Sequence, residues 1–333
     1  MDGVLCVLKP PGMTSHDVVD VVRRLVGLRR VGHTGTLDPG AAGVLVCCVG
    51  RATRLSEFLM EADKAYRVEM RLGIRTSTGD AYGEVLPERD AGLAPGAPLG
   101  PVDRAAGPRP ARPSRAVTRP AFEAVLRRFT GEILQVPPMV SAIHHEGTRL
   151  YRLARRGEVV DLQPRRVVVH RIDVVWADRE WTRILLDVVC GKGTYIRKLC
   201  ADIGDALGVG GYAHFMVRTR AGRFELADAL TLEELEDLAS RGTLADALRS
   251  MDQAVGHLPA VDLPDRSVSD VLHGHAVPIW KVGAAAPEDT PVRLRSRRGA
   301  LLALARVEGG LLRPFKVLAG AEGRDVAHRV RPR

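Results

Sequence analysis

The chain has 333 residues, 45% of them apolar, enough for a real core spread over one large domain and one small one. A net charge of +9, carried mostly by arginine, points to a polyanionic partner, and no apolar run is long enough to span a bilayer. Five cysteines, an odd number with no Cys-x-x-Cys pair, and an N-terminus without the basic start of a signal peptide read as a reduced, cytoplasmic, metal-free chain.

In chain order, "VLCVL" at 4–8 predicts a short apolar strand. A helix follows, with Thr14 or Ser15 as its cap, Asp17 in its first turn, and Val18, Val22, Leu25 and Val26 on one face. Residues 44–49 read as a buried strand and 51–60 as a helix. "AYRVEMRLG" at 65–73 alternates Tyr66, Val68, Met70 and Leu72 with charged residues, which predicts a strand with two unlike faces. Residues 90–118 are rich in Pro, Ala, Gly and Arg and cannot build a core, so a mobile insert is expected there. The core resumes with a helix over "RPAFEAVLRRFTGEI", then a loop and a short basic helix, strands at 166–176 and 182–190, and a helix over "TYIRKLCADIGDALG". A further helix at 231–239 closes the large part, and short apolar runs between glycines at 258–320 predict a small β-rich domain.

"RRVGHTGTLDPGAAGVLV" at 29–46 sets one carboxylate, Asp38, among small residues that allow another molecule close to the main chain. Such an acid, at the lip of a strand, is a candidate reactive group; an ordinary Asp-Pro-Gly turn is the competing reading. Familiar constellations fail. "CGKGTY" lacks the first glycine of a phosphate loop, no Gly-x-Ser-x-Gly is present, and the histidine pairs have no metal-ligand spacing. What remains is dispersed: Asp38, Tyr66 at the start of an alternating strand, and Tyr195 and Arg197 where a strand gives way to a helix. A helix start beside Lys192 and Gly193 favours anions, and Arg197 is suited to pair with a carboxylate.

Five blocks occur in order: "VLKPPGMTSHDVV", "RRVGHTGTLDPGAAGVLV", "KAYRVEMRLGIRTSTGDAYGEV", "QVPPMVSAIHHEGTRLYRLARRG" and "GKGTYIRKLCADIGDALGVGGYAHFMVRTRAGRFELADALTLEEL". Together they closely resemble the bacterial TruB-type tRNA pseudouridine-55 synthases, over about residues 1–250. The tail, 258–330, is more loosely similar to the PUA domain that follows in that family. The resemblance implies an α+β fold: a central mixed, mostly antiparallel sheet flanked by helices, with a small β-rich PUA-like RNA-binding domain after it. It also implies one reaction, in which uridine-55 of the tRNA T loop is flipped out, loses its glycosidic bond, and rejoins the ribose through carbon 5. No cofactor, metal, membrane or obligate protein partner is implied, and the chain is expected to act as a monomer.

By the same resemblance Asp38 matches the nucleophilic aspartate, and Arg197 the arginine paired with it. Tyr66 and Tyr195 match positions contacting the uracil and its ribose, and His33 a histidine that meets flipped nucleotides. Lys9 and Pro10 match a motif packed near the site, and Asp80 the acid of a second loop motif. Met216 stands at a frequent leucine, where it can line a base pocket, and Val217 stands at an arginine, which removes one expected RNA contact. Whether Asp38 attacks carbon 1 of the ribose or removes a proton stays open, as does a proton-transfer role for Tyr66 beside stacking. Two other readings also stay open: a relative acting on another RNA or through a guide RNA, and a non-enzymatic RNA-binding protein.

Overall fold

The computed structural model describes residues 1–86, 116–141, 143–145, 147–158, 160–283 and 287–319. Most of the insert expected at 90–118 therefore lies outside the described residues. Apolar alternation and long-range pairing build the body around strands β1 (Gly3–Lys9), β2 (Val31–His33), β3 (Ala42–Val49), β4 (Lys64–Leu72), β5 (Gly131–Gln135), β6 (Arg165–Ala177), β7 (Arg183–Cys190) and β8 (Gly211–Ala221). With the short strand Phe224–Glu225 they form a nine-stranded sheet in the order β1-β3-β8-β4-β7-β6-β5, with β2 beside β3. Its one parallel pairing among the described residues joins β3 and β8, so the sheet is mixed and mostly antiparallel, as the family resemblance implies.

The apolar runs of β1 and β3 are continuous because both strands are covered on two faces. Leu5, Val7, Leu45 and Cys47 join the core under the helices, whereas Val4, Cys6, Val44 and Val46 join a second cluster on the other side. That second cluster also holds Leu301, Leu304 and Leu318 of the tail. The tail folds as a five-stranded sheet, Ala260–Leu263, Pro291–Ser296, Leu301–Glu308, Leu311–Val317 and Val277–Pro278 in spatial order, with the helix Asp265–Leu272 beside it. Its contribution to the shared core means that cutting it away would expose buried apolar surface of the body.

Helix α1 (Ser15–Val26) starts where the sequence places it, and Thr14 is the cap. Thr14 Oγ1 accepts from the Asp17 N–H at 3.1 Å and Asp17 Oδ2 accepts from the Thr14 N–H at 2.7 Å, a reciprocal arrangement typically worth about 1 kcal/mol. Helix α2 (Arg119–Arg128) is shorter than the pattern predicts, because the chain reverses after it and 131–135 pairs with β6 as an edge strand. Over 51–60 a 3₁₀ turn, Gly50–Leu55, precedes only one α-helical stretch, Ser56–Met60. Helix α3 (Ile196–Ala206) buries Ile196, Leu199, Cys200 and Ile203 at the expected spacing. The 231–239 prediction is met by Leu232–Ser240.

The central strand β8 had no local signature. Its register sets Arg218 opposite Gly43, whose φ is +111°, and a Cβ at Gly43 would lie 2.3 Å from the Arg218 carbonyl oxygen. Only glycine lets β3 approach β8 so closely.

Candidate active site

The Asp38 turn is held from below by two side chains that the first strand and the first helix deliver. Lys9, at the end of β1, is fully buried, and its Nζ donates to the carbonyls of Pro10 at 2.8 Å, Pro39 at 3.2 Å and Ala41 at 2.7 Å. Burial pushes the Lys9 ammonium down to about 8, with Asp38 acting in the opposite sense. Ser15, at the start of α1, donates to the Leu37 carbonyl at 3.0 Å and accepts the Leu37 N–H at 2.8 Å. The turn is thereby fixed on both sides of Asp38.

Arg197, in the first turn of α3 and 3% exposed, meets Asp38 across 159 residues of sequence. Its Nε donates to Asp38 Oδ2 at 2.7 Å and its Nη2 to Oδ1 at 2.9 Å, a two-pronged pair that fixes the plane of the carboxylate. The guanidinium also donates to the carbonyls of Thr78 at 2.7 Å and Val140 at 3.0 Å, and lies 3.5 Å from Asp80 Oδ2. Burial opposes the Arg197 charge most strongly, but the attraction and hydrogen bonds of Asp38, together with Asp80 and Tyr195, outweigh it and the pKa is raised. The Asp38 side chain keeps 35% exposure, and the cavity is where it is open.

That cavity holds about 590 Å³, and Asp38, Arg197, Tyr66, Tyr195 and Met216 all line it. His33, Lys9 and Asp80 do not line it. Lys9 and Asp80 act on it through the contacts above, and His33 Nδ1 accepts the Gly35 N–H at 3.3 Å from β2. Tyr66 has its phenol pKa raised by burial, with the Arg218 guanidinium bonding it and pulling the other way, so the ring is neutral near pH 7. Burial likewise raises Tyr195. Tyr195 is fixed by Gln135, whose Oε1 accepts the Tyr195 N–H at 2.8 Å and whose Nε2 donates to its carbonyl at 3.2 Å.

Gln135 and Arg218 line the same cavity, and sequence reasoning missed both. Arg218 is 2% exposed, with Nε donating to the Val44 carbonyl at 2.7 Å and Nη2 to the Gly35 carbonyl at 3.0 Å. The Arg-rich stretch 218–223 reads in the sequence as part of a basic, RNA-facing surface, yet its first arginine is spent inside. Among the described residues no group of three His, Cys, Asp or Glu is placed to hold a metal ion.

Burial, with help from Arg218 and His16, pulls His33 down from 6.5 to about 4. Between those values the unfolded chain binds a proton that the folded one refuses, so stability rises with pH across that window. Urea midpoints should therefore fall between pH 7 and pH 4.5, and should fall less in His33→Gln, by about 2 kcal/mol of unfolding free energy. Identical pH dependence in the two proteins would remove His33 from this account.

Comparisons with known proteins give the chain's family. The family model described as TruB family pseudouridylate synthase (N terminal domain) matches residues 23–94 and 103–196, and the one described as tRNA pseudouridylate synthase B C-terminal domain matches 197–256. The chain is similar to the tRNA pseudouridine synthase B of Pelotomaculum thermopropionicum, 44% identical over 98% of this chain and 99% of that protein. It is similar also to the tRNA pseudouridine synthase B of Moorella thermoacetica, 45% identical over 95% of this chain and 99% of that protein. Among solved structures, a chain of the H/ACA RNP bound to a substrate RNA containing 2′-deoxyuridine superposes with a TM-score of 0.70 at 26% identity, covering 96% of this chain and 86% of that one.

Proposed function

Because the chain belongs to the TruB family of pseudouridylate synthases, we propose that it converts uridine-55 in the T loop of tRNA to pseudouridine, with Asp38 as the group that starts the reaction. The observation that carries this reading is the Asp38 carboxylate, gripped by Arg197 on the wall of a cavity that two tyrosines and Met216 also line. The uridine must leave its stack to reach that carboxylate, at a cost of a few kcal/mol. The C1′–N1 bond then breaks, the freed uracil turns, C5 bonds to C1′, and the C5 proton leaves while N1 gains one. Attack on C1′ and removal of a ribose proton both require an ionised carboxylate aimed at the sugar, and Arg197 supplies that aim.

A neutral Tyr66 suits stacking on the uracil better than proton abstraction, for which a phenolate would be needed. Tyr195 and Met216 complete the pocket walls, and Lys9 and Asp80 keep the Asp38–Arg197 pair in place. His33 is assigned to neighbouring nucleotides. The body up to about 250 carries the chemistry, and the tail, 258–330, carries RNA affinity. The cytoplasm, where tRNA is available, is the compartment this reading assigns. No helix among the described residues is long and apolar enough to cross a membrane.

Loss of tritium from a T stem-loop carrying [5-³H]uridine at position 55 tests the proposal, since C5 exchanges its hydrogen for the new carbon bond. Retained label would overturn it. Binding should also weaken steeply with salt. Arg127 and Arg128 are exposed at the end of α2 and free to meet phosphates, whereas Arg218 is committed to backbone carbonyls. A log–log slope of about −3 or steeper is expected for several phosphate contacts, and a flat titration would contradict a phosphate-led interface.

A further inference from the structure

One aromatic beside the site is not used by the cavity. Tyr82 is 63% exposed, in a chain where aromatics make up 4% of residues. Core aromatics such as Tyr212 are fully buried, and Tyr66 and Tyr195 line the cavity. Tyr82 lines neither a core nor the cavity, yet its backbone is held firmly.

Asp80 Oδ1 accepts the Tyr82 N–H at 3.0 Å and the Thr78 hydroxyl at 2.5 Å. Thr76 donates to the Asp80 carbonyl at 2.7 Å, and the Ser77 N–H donates to the Glu84 carbonyl at 2.9 Å. The same segment supplies the Thr78 carbonyl that accepts from Arg197. The Tyr82 ring itself rests on Gly40, two residues past Asp38, where a Cβ would come within 2.0 Å of it. Glycine at position 40 leaves the ring room to lie against the backbone of the Asp38 turn. An aromatic with few rotatable bonds, seated on backbone and open to solvent, is a preformed stacking surface.

We propose that Tyr82 stacks a second unpaired base of the RNA, next to the uridine that enters the cavity. This rests on the reading of the substrate as an RNA loop, whose unpaired bases splay out and stack on aromatic side chains. The competing account is that the ring only braces the Asp38 turn. The two differ in what they change: a stacking platform acts on affinity for particular bases, and a brace acts on turnover whatever the base.

Tyr82→Phe and Tyr82→Ala are compared with the wild type on T stem-loops, intact and with single abasic positions. Tyr82→Ala should raise KM between about fivefold and a hundredfold, the span observed for losing one stacked base, while Tyr82→Phe stays within about twofold of the wild type. One abasic loop should bind the wild type and Tyr82→Ala alike, because the partner base is gone. Tyr82→Trp supplies a second readout, with indole fluorescence quenched by the intact loop and not by that abasic loop. An unaltered KM in Tyr82→Ala, a loss equal on every abasic loop, or a fall in kcat alone would overturn the proposal. A wild type that neither binds the intact loop nor releases C5 tritium from it would instead sink the reading of the substrate, so the two failures are distinguishable.

Discussion

Asp38→Asn abolishes turnover, by about 10⁴-fold or more, while tRNA binds nearly as well as to the wild type. The amide is close to isosteric with the carboxylate, and the Lys9 and Ser15 bonds that shape the turn go to backbone groups the substitution leaves in place. What the amide cannot do is act as an anion toward the ribose, or present two equivalent oxygens to Arg197. If Asp38 served only as the first residue of an Asp-Pro-Gly turn, asparagine would replace it with little loss. Single-turnover assays paired with fluorescence binding separate the two. A variant keeping a tenth of wild-type turnover would remove Asp38 from the reaction.

Arg197 is expected to be almost as sensitive, through position. Arg197→Ala leaves Asp38 free to rotate and leaves the Thr78 and Val140 carbonyls without their donor. Misplacement of a reacting group by about 1 Å can cost about 10²-fold, so kcat should fall by at least that factor. Stability should fall as well, by about 2–4 kcal/mol, since removing one member of a buried pair strands its partners; Asp38's opening to the cavity keeps the loss toward the lower end. Arg197→Lys retains the charge but cannot hold both carboxylate oxygens and two carbonyls at once. It should recover stability more than rate. Full recovery of kcat by lysine would show that charge alone, and not the fork, is what the site needs.

The parts of this site that sequence reveals are those carried by unusual local chemistry. A lone acid in a glycine-rich loop, and a tyrosine and arginine at the head of a helix, stand out from their neighbours in residue order alone. Pairing is what sequence hides. Arg218 sits in a run of arginines that suggests an RNA-facing surface, and only the register of β8 against Gly43 turns it inward beneath the Asp38 loop. Gln135 lies two residues past the stretch that reads as a helix, at the edge of a loop, and it reaches Tyr195 only because 131–135 is recruited as an edge strand by β6. The one-sided alternation of β4 and the two-sided apolar runs of β1 and β3 were legible, since burial of one face or two writes itself directly into residue order. Sharing of a core between tail and body was not, because it joins Leu301 and Leu304 to strands near the N-terminus.

Incubation of an unmodified tRNA transcript with the purified wild type and with Asp38→Asn, followed by mapping of pseudouridine by chemical derivatisation and mass spectrometry, asks whether this chain isomerises one T-loop uridine through Asp38. A single new pseudouridine, at position 55, should form with the wild type without added cofactor and be absent with the variant. Pseudouridine at another position, none at all, or equal amounts from both proteins would contradict isomerisation of that uridine through Asp38.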